Sequence, residues 1–172
     1  MRIIAGSRKG HRIDAPKGRH TRPTSDFVRE TAFNLVGPVE GAAVLELFAG
    51  SGALALEALS RGAASATLVE SDRAACRAIN ANLDKLRLNA TVLCQDALRV
   101  VSTDRSAYDL ILADPPYDYD GLQRLGPHLK RLLAPDGLLV LQTAARDEPE
   151  IDGLRVRTSR KYGSARLTLF EL

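Results

Sequence analysis

With 172 residues, 45% hydrophobic and 26% charged, the chain suits one domain with its own core, and nothing in its composition suggests a fibrous, disordered or membrane-spanning protein. Its net charge of +3 is segregated: residues 1–22 carry +6, residues 155–172 carry +4, and the body between them carries −7. The chain opens without the apolar core of a signal peptide, which predicts a cytoplasmic protein, and Cys76 and Cys94 lack the spacing of a zinc site or a disulfide framework.

The two cysteines therefore read as small buried apolar residues, and no metal is expected. In residues 1–22, short apolar pieces (Ile3-Ile4, Ile13) alternate with glycines and with Arg8, Lys9, Arg12, Lys17, Arg19 and Arg22. This pattern predicts a small basic β-hairpin or arm lying on the body. Clustered Lys/Arg is the footprint of phosphate binding, and a merely solvated arm has the same composition.

Thr24 or Ser25 can cap a first helix with Phe27, Val28, Thr31, Ala32 and Leu35 on its apolar face, ended by Gly37-Pro38. Strands and helices then alternate. Strands are predicted at 43–48, 66–70, 91–94, 108–113 and 138–143. Helices are predicted at 52–60, 72–86, 97–101 and 122–133, the last stopped by Ala134-Pro135-Asp136-Gly137. The tail reads as two strands, 154–160 and 165–171, around Tyr162-Gly163-Ser164. Alternation of this kind predicts an α/β fold: a doubly wound, Rossmann-like sheet of about seven strands ending in an antiparallel C-terminal hairpin. The expected division is a basic arm over 1–22 and a single α/β domain over 23–172. Ligands of such a sheet bind at the carboxyl ends of its strands.

The first strand runs into Glu46-Leu47-Phe48-Ala49-Gly50-Ser51-Gly52, a glycine turn opening a helix. Glu70-Ser71 lies about twenty residues on, where an acid binds ribose hydroxyls. A dinucleotide would set its pyrophosphate against that helix, beside the Glu46 carboxylate, which is unfavourable. S-adenosylmethionine has no phosphate and carries an ammonium and a sulfonium, so it suits Glu46 better. Phe48, Ala49, Gly50 and Gly52 would then line the methionine end. Asp96-Ala97, after the third strand, would meet the adenine, and Asp96 also reads as a helix cap.

The fourth strand ends in Asp114-Pro115-Pro116-Tyr117. Two prolines stiffen the backbone and remove two N–H donors, so nearby carbonyls can accept from an amine, and Tyr117 can stack on a base. The tetrapeptide resembles the Asp/Asn-Pro-Pro-Tyr/Phe motif of methyltransferases acting on adenine N6, cytosine N4 or guanine N2. Arg2-Ile3-Ile4-Ala5-Gly6, the run from Arg22-Pro23-Thr24 through Glu30, and Lys161-Tyr162-Gly163 further resemble the RsmD family. That resemblance spans the chain. It implies a bacterial small-subunit (16S) ribosomal RNA guanine-N2 methyltransferase that uses S-adenosylmethionine. It implies that Asp114, Pro115, Pro116 and Tyr117 are catalytic. It also implies that the basic arm and Lys161 hold RNA, free or in an assembling subunit, and that the protein acts as a monomer. The rival readings are an adenine-N6 methyltransferase of DNA or other RNA, and a non-catalytic nucleotide-binding module.

Overall fold

The computed structural model describes residues 1–16 and 25–172. Helix α1 spans Asp26–Val36, and the chain then alternates: β1 Ala43–Leu47, α2 Ala53–Ser60, β2 Ser65–Val69, α3 Arg73–Leu86, β3 Thr91–Leu93, α4 Ala97–Thr103, β4 Tyr108–Ala113, α5 Leu122–Leu132 and β5 Leu133–Ala144. Strands β6 (Arg155–Tyr162) and β7 (Ala165–Glu171) close it. The seven strands lie in the order β3-β2-β1-β4-β5-β7-β6. The first five are parallel, and β7 runs antiparallel to both β5 and β6. This is the predicted doubly wound sheet with its antiparallel hairpin. Among the described residues, no helix is long and apolar enough to cross a membrane.

Side chains alternate across the strands and so divide the core in two. Val44, Leu68, Leu110, Leu112 and Val140 pack under α1, α2 and α3. Leu45, Leu47, Ile111, Leu139 and Leu141 pack under α4 and α5. Glu46, one residue after Leu45, projects to the side of Val44, where α2 begins.

Residues 1–16 lie on the body: Ile3 and Ile13 are buried in the same core as α1–α3. The segment pairs with itself around the Arg2–Arg12 bridge, where Ile3 N–H donates to the His11 carbonyl at 2.9 Å and Ile13 N–H to the Met1 carbonyl at 3.1 Å, with a 3-10 turn at Gly6–Arg8 between. The segment is held because both Glu57 oxygens accept backbone N–H groups, from Ile4 at 2.8 Å and Ala5 at 3.0 Å. A Cβ at Gly6 would lie 1.8 Å from the Ser60 carbonyl oxygen, so only glycine permits this approach to α2.

Three details differ from expectation, the first being the buried face of α1. Val28, Arg29, Ala32 and Phe33 are buried, whereas Phe27 points outward. Arg29 is the cause. Its guanidinium lies fully buried, donates to Asp26 at 3.0 Å and to the Arg2 carbonyl, and sits 3.8 Å from Glu57. A helix face chosen by apolar residues alone misses a buried ion pair.

The Ala134–Gly137 stop lies inside β5. Between Tyr108↔Leu133 and Leu110↔Leu138, β5 advances five residues while β4 advances two, so the Pro-Asp-Gly turn is a large bulge within the strand. Finally, only Cys76 is buried. Cys94 is exposed because it follows the short edge strand β3, and the two sulfurs are 2.6 Å apart. Burial pushes the Cys76 thiol up to about 12.

Candidate functional site

Strand β1 pairs with β2 on one side and β4 on the other, so the sheet's order reverses at the carboxyl end of β1. A crevice opens at such a switch point. Here it is a cavity of about 1170 Å³. Of the predicted cofactor and catalytic residues, Glu46, Phe48, Ala49, Gly50, Glu70, Ser71, Asp96, Asp114, Pro115, Pro116 and Tyr117 all line it.

Gly52 and Ala97 do not line it. Gly52, at φ +76°, caps α2, and a Cβ there would come within 2.8 Å of Leu68 Cδ2. Its glycine serves the packing of the turn on β2, not a ligand. Ala97, the first residue of α4, is buried in the core beneath the sheet. Gly50, at φ +56°, has only the Phe48 carbonyl, at 4.0 Å, where a Cβ would be, which leaves its side of the turn open to the cavity. Phe48 has φ +59°, a costly conformation for a bulky residue. Its ring meets Tyr119 edge-on at 4.9 Å.

Four carboxylates face the cavity: Glu46, Glu70, Asp96 and Asp114. Among the described lining residues there is no lysine or arginine. Glu70 is held from both ends, accepting Gly50 N–H at 2.9 Å and Asp72 N–H at 2.8 Å. Asp96 caps α4 through Oδ1, which accepts Arg99 N–H at 3.0 Å, while the residue itself remains exposed. Glu46 is nearly fully buried and accepts Ala55 N–H at 2.9 Å from the first turn of α2. Burial pushes its carboxyl up to about 8, against the lowering effect of the Ala55 and Leu54 N–H groups, and the nearby Asp114 charge adds to the rise.

At the end of β4, Asp114 and Pro115 sit at the cavity wall, with Pro115 buried and Tyr117 48% exposed. The Pro116 carbonyl accepts Tyr119 N–H at 2.9 Å, closing a turn that presents Tyr117 and Tyr119 on the same side. Among the described residues, no hydrogen bond reaches the Pro115 carbonyl.

The residues predicted to hold RNA are less uniform. Lys9, Arg12 and Lys161 are exposed. Arg8 is engaged elsewhere: its Nε donates to the Leu86 carbonyl at 2.6 Å and so caps α3. Lys17, Arg19 and Arg22 lie outside the described residues. Among the described residues, no group of His, Cys, Asp and Glu is placed to hold a metal.

The structure adds lining residues the sequence did not mark. Gln142, Tyr162 and Ser164 arrive because β7 pairs antiparallel with β5, Ala144↔Ala165, bringing the β6–β7 tip to the carboxyl edge. Asn82 is buried under the glycine turn. It donates to the carbonyls of Asp14 (2.9 Å) and Ser51 (3.1 Å) and accepts Asp14 N–H at 2.8 Å. It thereby sets cavity-lining Ala15 and Pro16 against that turn.

A family described as conserved hypothetical protein 95 matches residues 1–171. The chain is 44% identical over 119 residues to ribosomal RNA small subunit methyltransferase D of Escherichia coli, covering 68% of this chain and 60% of that protein. The chain belongs to the RsmD family. YlbH of Bacillus subtilis, described as a candidate rRNA methyltransferase, is 36% identical over 181 residues, covering 99% of this chain and 98% of that protein. The solved structure of the E. coli candidate methyltransferase yhhF superimposes on this RsmD-family chain with a TM-score of 0.89 at 34% identity, covering 99% and 96% of the two chains.

Proposed function

We propose that this RsmD-family protein transfers a methyl group from S-adenosylmethionine to the exocyclic N2 of a guanine in small-subunit (16S) ribosomal RNA. The observation that carries the reading is the charge of the cavity: four carboxylates and no described cation, facing the Asp114-Pro115 corner. A pyrophosphate would be repelled there, whereas a ligand with an ammonium and a sulfonium is attracted. Gly50 leaves room for close approach to the turn, the Glu70 carboxylate lines the cavity at the end of β2 where ribose hydroxyls can donate to it, and the second Asp96 oxygen can accept from an amino group. The residues present therefore fit this donor.

When bound, S-adenosylmethionine supplies an electrophilic methyl group. The protein's part is to grip and orient the amine. A purine amino group is a weak nucleophile because its lone pair is delocalised into the ring. Accepting its N–H bonds at Asp114 and at the Pro115 carbonyl favours a tetrahedral nitrogen and stabilises the charge that develops on it. Holding the nitrogen in line with the methyl supplies much of the remaining acceleration. The base must leave its stack to enter, and the Tyr117 face can hold it there. After transfer, Asp114 or water accepts the proton.

The names of the relatives favour ribosomal RNA as the substrate. Exposed Lys9, Arg12 and Lys161 would position the RNA backbone, with selection left to RNA shape. We place the protein as a monomer in the cytoplasm. The test is incubation with isotope-labelled S-adenosylmethionine and small ribosomal subunits from cells lacking the gene, followed by nucleoside mass spectrometry. The expected product is N2-methylguanosine in 16S RNA. Labelled N6-methyladenosine would select the rival adenine reading, and no label in any RNA would overturn both.

A further inference from the structure

Five of the chain's eight phenylalanines and tyrosines line this single cavity. Phe48 and Tyr119 meet edge-on beside the glycine turn, and Tyr117 lies at the amine corner. Phe27 and Tyr162 have no role in that account. Phe27 is 62% exposed in the first turn of α1, the most exposed large apolar side chain described. Its ring stands edge-on to Tyr162, with centroids 6.1 Å apart and planes at 71°. The two residues come from nearly opposite ends of the sequence, and the contact props an aromatic face open at the rim.

Such a rim loses hydrophobic stabilisation in water, so a partner that covers it gains affinity. Charge indicates which partner. Strand β6 is the sheet edge, and Arg155, Arg157, Arg160 and Lys161 lie exposed along it, running directly into Tyr162. The cavity beyond is acidic. A ligand that keeps anions on β6 while presenting planar, uncharged rings to Phe27 and Tyr162 is a single-stranded nucleic acid.

We propose that Phe27 and Tyr162 form a stacking platform for an unpaired RNA base next to the one that enters the cavity. The proposal rests on the RNA reading above and adds a second base-binding site to it. The platform receives the neighbouring base as the target unstacks, replacing the stacking lost on extrusion. Because every base has a π-face, the platform is tolerant of sequence at that position.

The test uses the full chain and a single-stranded RNA oligonucleotide carrying 2-aminopurine, whose fluorescence is quenched on stacking, next to the target guanine. Wild type is expected to quench the probe. Phe27→Ala is expected to abolish quenching and weaken RNA affinity about 5- to 150-fold, with Phe27→Trp restoring both. Tyr162→Leu is expected to weaken binding in the same direction, whereas Tyr162→Phe keeps the ring and the affinity. Thermal melting checks that each variant is folded. Persistent quenching in Phe27→Ala, with affinity within twofold of wild type, would overturn the platform. If wild type also methylates ribosomal RNA, that outcome removes the platform and leaves the proposed function intact. Quenching that depends on Phe27 in a protein that methylates no RNA would keep the platform and remove the function. Wild type that neither binds nor quenches the probe would overturn the platform outright.

Discussion

Replacing Asp114 by Ala is expected to reduce methyl transfer about 100- to 1,000-fold or more in kcat, the range seen when one preorganised partner of a developing charge is removed. Donor binding stays measurable by calorimetry, because Gly50, Glu70 and Asp96 reach the cavity from other strands. Asp114→Asn retains an acceptor oxygen without the charge, so its loss is smaller. The ordering wild type, Asn, Ala in kcat distinguishes an electrostatic role from a purely steric one. Removing the Asp114 charge also removes one of the influences holding Glu46 high, so both variants bind donor with a lower apparent pKa. Unchanged turnover in Asp114→Ala would take this residue out of the reaction.

The second large effect concerns pH. Burial raises Glu46 to about 8, well above its ordinary value of 4.5. In the free protein, its contribution to stability is therefore fully present below the ordinary carboxylate range and is lost as pH rises through 8. A bound ammonium reverses the balance, because it favours the ionised carboxylate. Donor affinity should rise about tenfold per pH unit from pH 6 towards 8, each binding event releasing up to one proton. Above that it should fall, as the donor's own α-amino group deprotonates near pH ~8. Titration calorimetry in buffers of different ionisation enthalpy reads the released proton directly. Glu46→Gln keeps an acceptor for the Ala55 N–H, loses the rising limb, and weakens binding at pH 8 by about 10- to 150-fold, the worth of a hydrogen bond to a charged group. An affinity flat between pH 6 and 8 in the wild type would separate Glu46 from the donor.

The strand–turn–helix around Glu46 and the corner at Asp114 were legible in the sequence because each is local. A buried strand, glycines at positive φ and consecutive prolines lie within ten residues or fewer. The parallel sheet was legible because its strands are continuous apolar runs that alternate with helices. What the sequence did not show depends on distant partners. The outward turn of Phe27 follows from Arg29 reaching Glu57, 28 residues on. Gln142 and Ser164 join the cavity only through the antiparallel pairing of β5 with β7. The Pro-Asp-Gly run had the chemistry of a helix stop, yet strand pairing resumes beyond it and makes it a bulge. Arg8 had the charge of an RNA contact, but its guanidinium is occupied by the end of α3. Gly52 fitted a ligand-binding motif, and the side chains of Leu68 and Ile79 supply its reason instead.

A crystal structure of the protein with S-adenosylhomocysteine, solved alongside a parallel soak with NAD, decides which ligand the cavity takes. The amino-acid moiety is expected on the Glu46 side of Gly50, the ribose hydroxyls on Glu70, and the sulfur facing Asp114 and Pro115, with NAD absent. A pyrophosphate seated against the α2 N-terminus, or Asp114 turned away into solvent with the homocysteine bound, would contradict that placement.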